Sequence, residues 1–234
     1  MVISNSHPLL LSKLLFSYYK INNKIPNILY NYNLNNISSL YNNRNNKSND
    51  NNIYHDPPNL YKLLKNNGLE RYEYNGIPND VLYYIMLVEK GLFWEKMMSL
   101  IEGKNRREIK ETLFGEVFYG KKLNTRGYQY APIFVKMFPN VWRMLRKMKK
   151  ADRTLLPNQL MKEESKLFHK ILEECFMRKW DVISIHDCIV VINTNKNANV
   201  NIDDVRSVME NVYHENGLYP TIKVETYNEL KNGI

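Results

Sequence analysis

The sequence is poor in cysteine and contains no long apolar run. Its only cysteines are Cys175 and Cys188, whose positions match no zinc-ligand spacing and suit a reducing compartment. The apolar residues 8–16 are interrupted by Lys13 and fall short of the roughly 20 residues that span a bilayer. They also lack the basic n-region and cleavage site of a secretory signal. We therefore expect a cytoplasmic protein with no membrane partner.

Acidic residues are also in deficit. The chain has 33 Lys and Arg against 24 Asp and Glu, a net charge of +9 and a pI near 9.3. This excess predicts a polyanionic partner such as nucleic acid, and the alternative is a solvated surface that merely carries surplus lysine. The apolar content of 44% in 234 residues is enough for one ordinary domain or two small ones.

Composition and periodicity divide the chain into four segments. Residues 1–20 predict a short strand and a helix, and residues 21–56 are an asparagine-rich, low-complexity insertion. Residues 57–156 are predominantly helical. Residues 157–234 predict a long helix, a β-hairpin, another helix and a closing strand over 221–225. Because the strands cluster and the helices come in blocks, the predicted fold class is α+β.

Capping and breaking residues predict several helix boundaries. Asn79 or Asp80 is the expected N-cap of a helix that ends near residue 89. Asn105 followed by Glu108 predicts a capping box at the start of the next long helix. Pro139 is expected to divide the basic helical stretch that ends near residue 150.

A possible metal ligand lies in residues 182–192. Two β-branched runs flank His186 and Asp187, which predicts a hairpin with these two polar residues at its turn. Such a turn holds one carboxylate rigidly at the tip of an apolar ribbon, and Asp187 is the candidate metal ligand. The alternative is an ordinary hairpin with a polar tip.

A second pattern follows residue 105. Arg106, Lys110, Phe114 and Phe118 are each four residues apart and share one face of a predicted helix. Two cations followed by two aromatic rings suit a nucleotide, because cations bind a triphosphate and a flat ring stacks on a base. The alternative is a partly buried helix whose phenylalanines pack inward while its cations snorkel to solvent.

Together these two patterns resemble family A DNA polymerases, the DNA polymerase I type. The helix is similar to their fingers motif, Arg-x3-Lys-x3-Phe-x3-Tyr-Gly, and His186-Asp187-Cys188 to their last palm motif, His-Asp-Glu. Residues 3–9 resemble the first palm motif. The resemblance implies a polymerase-like palm of hairpin, helix and strand with a helical fingers insertion, and it makes residues 1–20 and 157–234 palm elements.

The resemblance also implies roles for individual residues. Asp187 would ligate catalytic Mg²⁺, and His186 would lie near the primer terminus. The implied nucleotide-binding residues are Arg106, Lys110, Phe114, Phe118 and Tyr119. Phe114 would border the sugar, and Phe118 would take the stacking position. The residues expected to contact the DNA primer–template are Asn158, Gln159, Arg107, Lys121, Lys122 and Arg126.

The chain departs from the family pattern in three places. Val2 stands where the first palm aspartate is expected, and Cys188 stands where an acid is common. The aromatic pair Phe118-Tyr119 makes the fingers motif one residue longer, so either ring can fill the final aromatic position. Valine offers no lone pair to a hard cation, and Asp56 and Glu225 are the alternative carboxylates.

Three accounts of the function follow. The chain is a fragment of a longer template-directed DNA polymerase with an upstream polymerase fragment as its partner, or a degenerate relative that binds primer–template without extending it. The third account is a non-catalytic basic nucleic-acid-binding protein. In the first account, nucleotides are added to a primer 3′ end by a two-metal route, which the missing aspartate at position 2 would impair.

Overall fold

The computed structural model describes residues 1–3, 6–19, 77–192 and 200–225. The asparagine-rich segment predicted over 21–56, including Asp56, lies outside the described residues. The helices are α1 (Ser6–Tyr19), α2 (Asn79–Glu89), α3 (Phe93–Met98), α4 (Arg106–Leu113), α5 (Ala131–Met137), α6 (Pro139–Ala151), α7 (Leu155–Met177) and α8 (Ile202–Glu215), and a π-helical turn (Phe114–Phe118) continues α4. The strands are β1 (Val2–Ile3), β2 (Val182–Ile185), β3 (Cys188–Val191) and β4 (Ile222–Lys223).

The four strands form one antiparallel sheet in the order β2-β3-β1-β4. β1 pairs with β3 through Val2 and Cys188, and with β4 through Ile3 and Ile222. The Ile3 amide also donates to the Asp187 carbonyl at 3.0 Å. The strand that carries position 2 therefore lies directly beside the hairpin turn, although the predicted closing strand is shorter than expected.

The predicted hairpin is confirmed, with His186 and Asp187 joining β2 to β3. His186 has a φ of 52°, in the left-handed region that histidine adopts more readily than β-branched residues do. The clustered strands and blocks of helices confirm the α+β class.

The core is built around α2, which is buried along nearly its whole length. A helix that is apolar on every side must be enclosed by other elements, and α1, α3 and α6 pack against α2. Large aromatic rings fill the space between them, including Tyr84, Phe93, Phe134 and Phe138, each of them less than 2% exposed. No helix in the described parts of the chain is long and apolar enough to cross a membrane.

Three of the predicted boundaries are confirmed, among them the end of α2 at Glu89, and one is wrong. Asn105 accepts from the Glu108 amide at 2.9 Å, and the Glu108 carboxylate accepts in return from the Asn105 amide at 3.3 Å. Pro139 begins α6 directly after α5. Pro78, however, occupies the N-cap of α2. Asp80 instead accepts two hydrogen bonds from Asn140, at 2.8 and 2.7 Å, and so holds the first turn of α6 against α2.

Candidate functional site

A cavity of about 730 Å³ opens between the helical region and the sheet. Its volume is in the range of small-molecule sites, roughly 300 to 1,000 Å³. Segments that are distant in sequence meet there: the start of α1, α4 with its π-helical turn, α7, the hairpin and the end of β4. The lining residues are Ile3, Ser6, His7, Pro8, Trp94, Arg106, Arg107, Lys110, Phe114, Tyr119, Glu164, His186, Asp187, Lys223 and Glu225. We call this cavity the central pocket.

Helix α4 supplies most of the positive charge of the central pocket, and Lys223 of β4 adds to it. Arg106 and Lys110 lie one helical turn apart, and both are exposed. The Arg106 Nη2 lies 3.3 Å from Glu95 Oε1, but both side chains are 45% exposed, and a solvent-exposed pair of this kind contributes little. Lys110 forms no ion pair with any described residue, and its Nζ lies 5.9 Å from the Phe114 ring centroid. Both cations are therefore available to an anionic ligand.

The π-helical turn decides which aromatic ring reaches the pocket. The Tyr119 amide donates to the Phe114 carbonyl at 2.8 Å, five residues back, so one additional residue fits into this turn. Tyr119 consequently stacks on Phe114, with centroids 5.5 Å apart and planes 14° apart. Phe118 is completely buried against Phe93 and Phe134. The prediction that Phe118 offers a stacking surface is therefore wrong, and Tyr119 lines the pocket instead.

A buried lysine holds the π-helical turn. Lys149 donates from Nζ to the Val117 carbonyl at 2.6 Å and lies over the Trp142 ring at 5.1 Å. Burial lowers the pKa of the Lys149 ammonium to about 8. A π-helical turn interrupts the regular backbone ladder, and a carbonyl that is buried without a donor costs about 1–3 kcal/mol. Lys149 supplies the donor for Val117.

The chain directly after Tyr119 has room for glycine only. A Cβ at Gly120 would lie 2.4 Å from the Glu116 carbonyl oxygen and 2.5 Å from the Tyr128 hydroxyl. The Glu116 carboxylate in turn accepts from the amides of Tyr130 and Ala131, both at 2.7 Å, at the start of α5. The position of Tyr119 is therefore fixed, because Glu116 is bound to the start of α5 and Val117 is bound to Lys149 of α6.

A row of hydrogen-bonded polar side chains lines the central pocket. The Tyr119 hydroxyl is hydrogen-bonded to His7 Nδ1, and His7 Nε2 lies 3.2 Å from Glu164 Oε2. Ser6 donates to the other oxygen of Glu164 at 2.5 Å. In the sequence, His7 falls only within the residues that resemble the first palm motif, and no pattern assigns a role to Glu164. No spacing reveals this contact, because its members lie on three elements far apart in the chain.

Glu164 and Tyr119, the two groups on either side of His7, have displaced pKa values. Burial alone would raise the pKa of Glu164, but the hydrogen bonds with His7 and Ser6 hold it below its usual value. Burial, with the charge of Glu164, raises the pKa of Tyr119 to about 12. At neutral pH Glu164 is therefore a carboxylate and Tyr119 is a protonated phenol.

The sheet side of the pocket carries further carboxylates. Asp187 is half-buried at the hairpin turn, and Glu225 is exposed beyond β4. The buried Tyr213 hydroxyl, which has no hydrogen-bond partner among the described residues, lies within electrostatic reach of Glu164 and Asp187. In the described ranges no three or more His, Cys, Asp or Glu side chains converge closely enough to hold a metal ion.

The expected template and primer residues are not gathered in the central pocket. Asn158 and Gln159 lie in the first turns of α7 and do not line it. Arg107 does line it, but its Nε is paired with Glu111 at 2.8 Å. A second cavity of about 420 Å³, here called the basic cavity, is lined by Lys121, Lys122, Leu123, Asn124, Arg126 and Arg153. The structure thus separates the predicted cations into two sets.

Comparison with known proteins identifies no relative. No family model, no curated protein and no solved structure matches this chain. Function is therefore inferred from the side chains that the fold brings together.

Proposed function

We propose that this chain forms the palm and fingers of a template-directed DNA polymerase similar to family A, and that the central pocket holds the incoming deoxynucleoside triphosphate. One observation carries the proposal. Arg106, Lys110 and Asp187 belong to two motifs far apart in the sequence, yet all three line one cavity. Cations, aromatic rings and carboxylates in a single cavity match the parts of a nucleotide bound with a metal ion.

The triphosphate would lie against α4. Arg106 and Lys110 present two positive charges one turn apart, and charge-assisted hydrogen bonds to phosphate oxygens contribute about 1.5–3 kcal/mol each. The stacked rings of Phe114 and Tyr119, further along the same face, offer an apolar surface to the sugar or base. The order of groups along the helix therefore follows the order of groups along a nucleotide.

The carboxylates fit a magnesium ion that arrives with the nucleotide. Mg²⁺ is usually bound by one or two carboxylates together with substrate phosphates, and Asp187 and Glu225 are two carboxylates of one pocket. These two residues would hold the ion against the phosphates. When bound, the ion would offset phosphate charge and steady the leaving pyrophosphate.

Equilibrium binding of a deoxynucleoside triphosphate in the presence of Mg²⁺, measured by calorimetry, tests the proposal. Lys110→Ala is expected to weaken binding about tenfold or more, because the variant cannot form the charge-assisted hydrogen bond to a phosphate oxygen. Lys121→Ala removes the same charge from the basic cavity and is the matched control, expected to bind within about twofold of wild type. Equal losses in both variants would show that the chain attracts nucleotides only through its net charge.

A specific observation also favours a second function, a nucleic-acid-binding protein without catalysis. The basic cavity carries Lys121, Lys122, Arg126 and Arg153, and none of the described residues that line it is a carboxylate. Primer extension with Mg²⁺, with and without an upstream polymerase fragment, separates the two functions. The polymerase proposal predicts extension that Asp187→Ala abolishes, whereas DNA binding without extension in any of these conditions would support the binding protein.

A further inference from the structure

The row of hydrogen-bonded polar side chains in the central pocket has the order hydroxyl, imidazole, carboxylate. Tyr119 directly follows the π-helical turn, and His7 and Glu164 belong to α1 and α7. Ser6 binds the second oxygen of the Glu164 carboxylate. The same order activates hydroxyl groups in hydrolases on unrelated folds, where geometry and not sequence position defines it. This inference rests on the proposed function.

The direction of each hydrogen bond follows from the chemistry of its members. An ionised carboxylate can only accept, so the His7 nitrogen that faces Glu164, Nε2, carries a proton. In the neutral ring Nδ1 is then an acceptor, and the protonated Tyr119 hydroxyl donates to it. Both ring nitrogens are therefore occupied. The group that can still accept a proton or a hydrogen bond from a ligand is a lone pair on the Tyr119 oxygen.

We propose that Tyr119, His7 and Glu164 form a proton relay that accepts the proton of the attacking hydroxyl group. As that oxygen forms its bond to the α-phosphorus, its proton passes to Tyr119 Oη, and the proton of Tyr119 passes to His7 Nδ1. The bond between the α-phosphorus and the bridging oxygen breaks, and pyrophosphate leaves with its electron pair. Glu164 stabilises the imidazolium that forms, as a positioning residue.

The relay gives this pocket a proton acceptor made from the chain's own side chains. General base catalysis contributes typically 10² to 10⁴ in rate, so loss of the relay should affect turnover strongly and nucleotide affinity little. If the three residues only join α1, α7 and the π-helical turn, their loss should instead affect stability and affinity together.

Glu164→Gln tests the carboxylate, because glutamine keeps the size of the side chain but carries no negative charge to stabilise an imidazolium. Nitrogen-15 chemical shifts of the imidazole in the ligand-free full chain report which ring nitrogen of His7 carries a proton. We expect a proton on Nε2 in wild type, which leaves Nδ1 to accept from Tyr119. A proton on Nδ1 in wild type would overturn the relay.

Single-turnover primer extension supplies the second measurement. Glu164→Gln and Tyr119→Phe are expected to slow extension by about 100-fold, with the nucleotide Kd within about twofold of wild type. Glu163→Gln is the matched control on the same helix, since Glu163 pairs with Lys13 and Lys166 and does not line the pocket. Rates in the relay variants no lower than in Glu163→Gln would overturn the relay, as would nucleotide binding without turnover in wild type. Absence of nucleotide binding in wild type would overturn the proposed function itself.

Discussion

The central pocket and the basic cavity both carry cations, but they differ in what surrounds those cations. In the central pocket Arg106 and Lys110 share the lining with three carboxylates and two stacked rings. In the basic cavity Lys121, Lys122 and Arg126 lie on the segment that follows Gly120, and no acid lines it within the described part of the chain. Cations and carboxylates held together at fixed positions favour one ligand of defined shape. Cations without nearby carboxylates attract any polyanion, and salt screens that attraction.

The two cavities also differ in how their walls are supported. The aromatic wall of the central pocket depends on the buried Lys149 and on the close approach at Gly120. Side chains of the basic cavity are mostly exposed, and among the described residues the Lys122 Nζ reaches only the Arg126 carbonyl and the Tyr128 ring. Substitutions that disturb the backbone around Gly120 should therefore affect both cavities, whereas substitutions of surface cations should affect only the cavity that they line.

Gly120→Ala is expected to have the largest effect, because its Cβ would meet backbone oxygens of Gly115 and Glu116 at 2.6 and 2.4 Å. We expect the free energy of unfolding, measured in urea, to fall by about 3 kcal/mol. Gly115→Ala is the matched control, since a Cβ there meets nothing within 4 Å, and it should be neutral or slightly stabilising. Similar stabilities for the two variants would contradict the tight packing after Tyr119.

Lys149→Met is expected to have a smaller, pH-dependent effect. The pKa of Lys149 is about 8 in the folded chain against 10.5 for the free side chain, so the unfolded chain binds more protons between these values. The stability contribution of Lys149 therefore rises with pH from about 8 to 10.5. At pH 10, urea unfolding should show the variant less stable by about 1–3 kcal/mol, because the Val117 carbonyl has no donor in the variant.

The difference in stability between wild type and Lys149→Met should shrink towards pH 7, where wild-type Lys149 carries a buried charge. Subtraction of the variant's pH profile from that of wild type removes the contribution of the other titrating groups. A difference that stays constant from pH 7 to 10 would contradict the lowered pKa.

The smallest change is expected from Lys121→Ala combined with Arg126→Ala. Removal of one cation that binds a phosphate reduces the slope of log K against log salt by about 0.7–0.9, so single-stranded or duplex DNA should show a slope lower by about 1.5. Nucleotide affinity should stay within about twofold. Lys162→Ala, an exposed lysine of α7 outside both cavities, should leave the slope nearly unchanged. An unchanged slope in the double variant would show that the basic cavity does not bind DNA phosphates.

Local signals predicted local structure well. The capping box at Asn105, the break at Pro139 and the hairpin turn at His186 each depend on residues within a few positions of one another, and each is confirmed. The predicted N-cap of α2 was wrong for a tertiary reason, since Pro78 takes that position and the Asp80 carboxylate binds Asn140 of α6.

The sequence by itself determined the two motifs, their order and the residue types that a nucleotide and a metal ion require. Only the tertiary structure decided that Tyr119, and not Phe118, faces the pocket, because a regular helix would have brought residue 118 onto the face of Phe114. The π-helical turn adds one residue, and its Val117 carbonyl accepts from Lys149, which is distant in sequence. The contact of His7 with Glu164 was likewise decided by packing of α1 against α7, which no periodicity within either helix encodes.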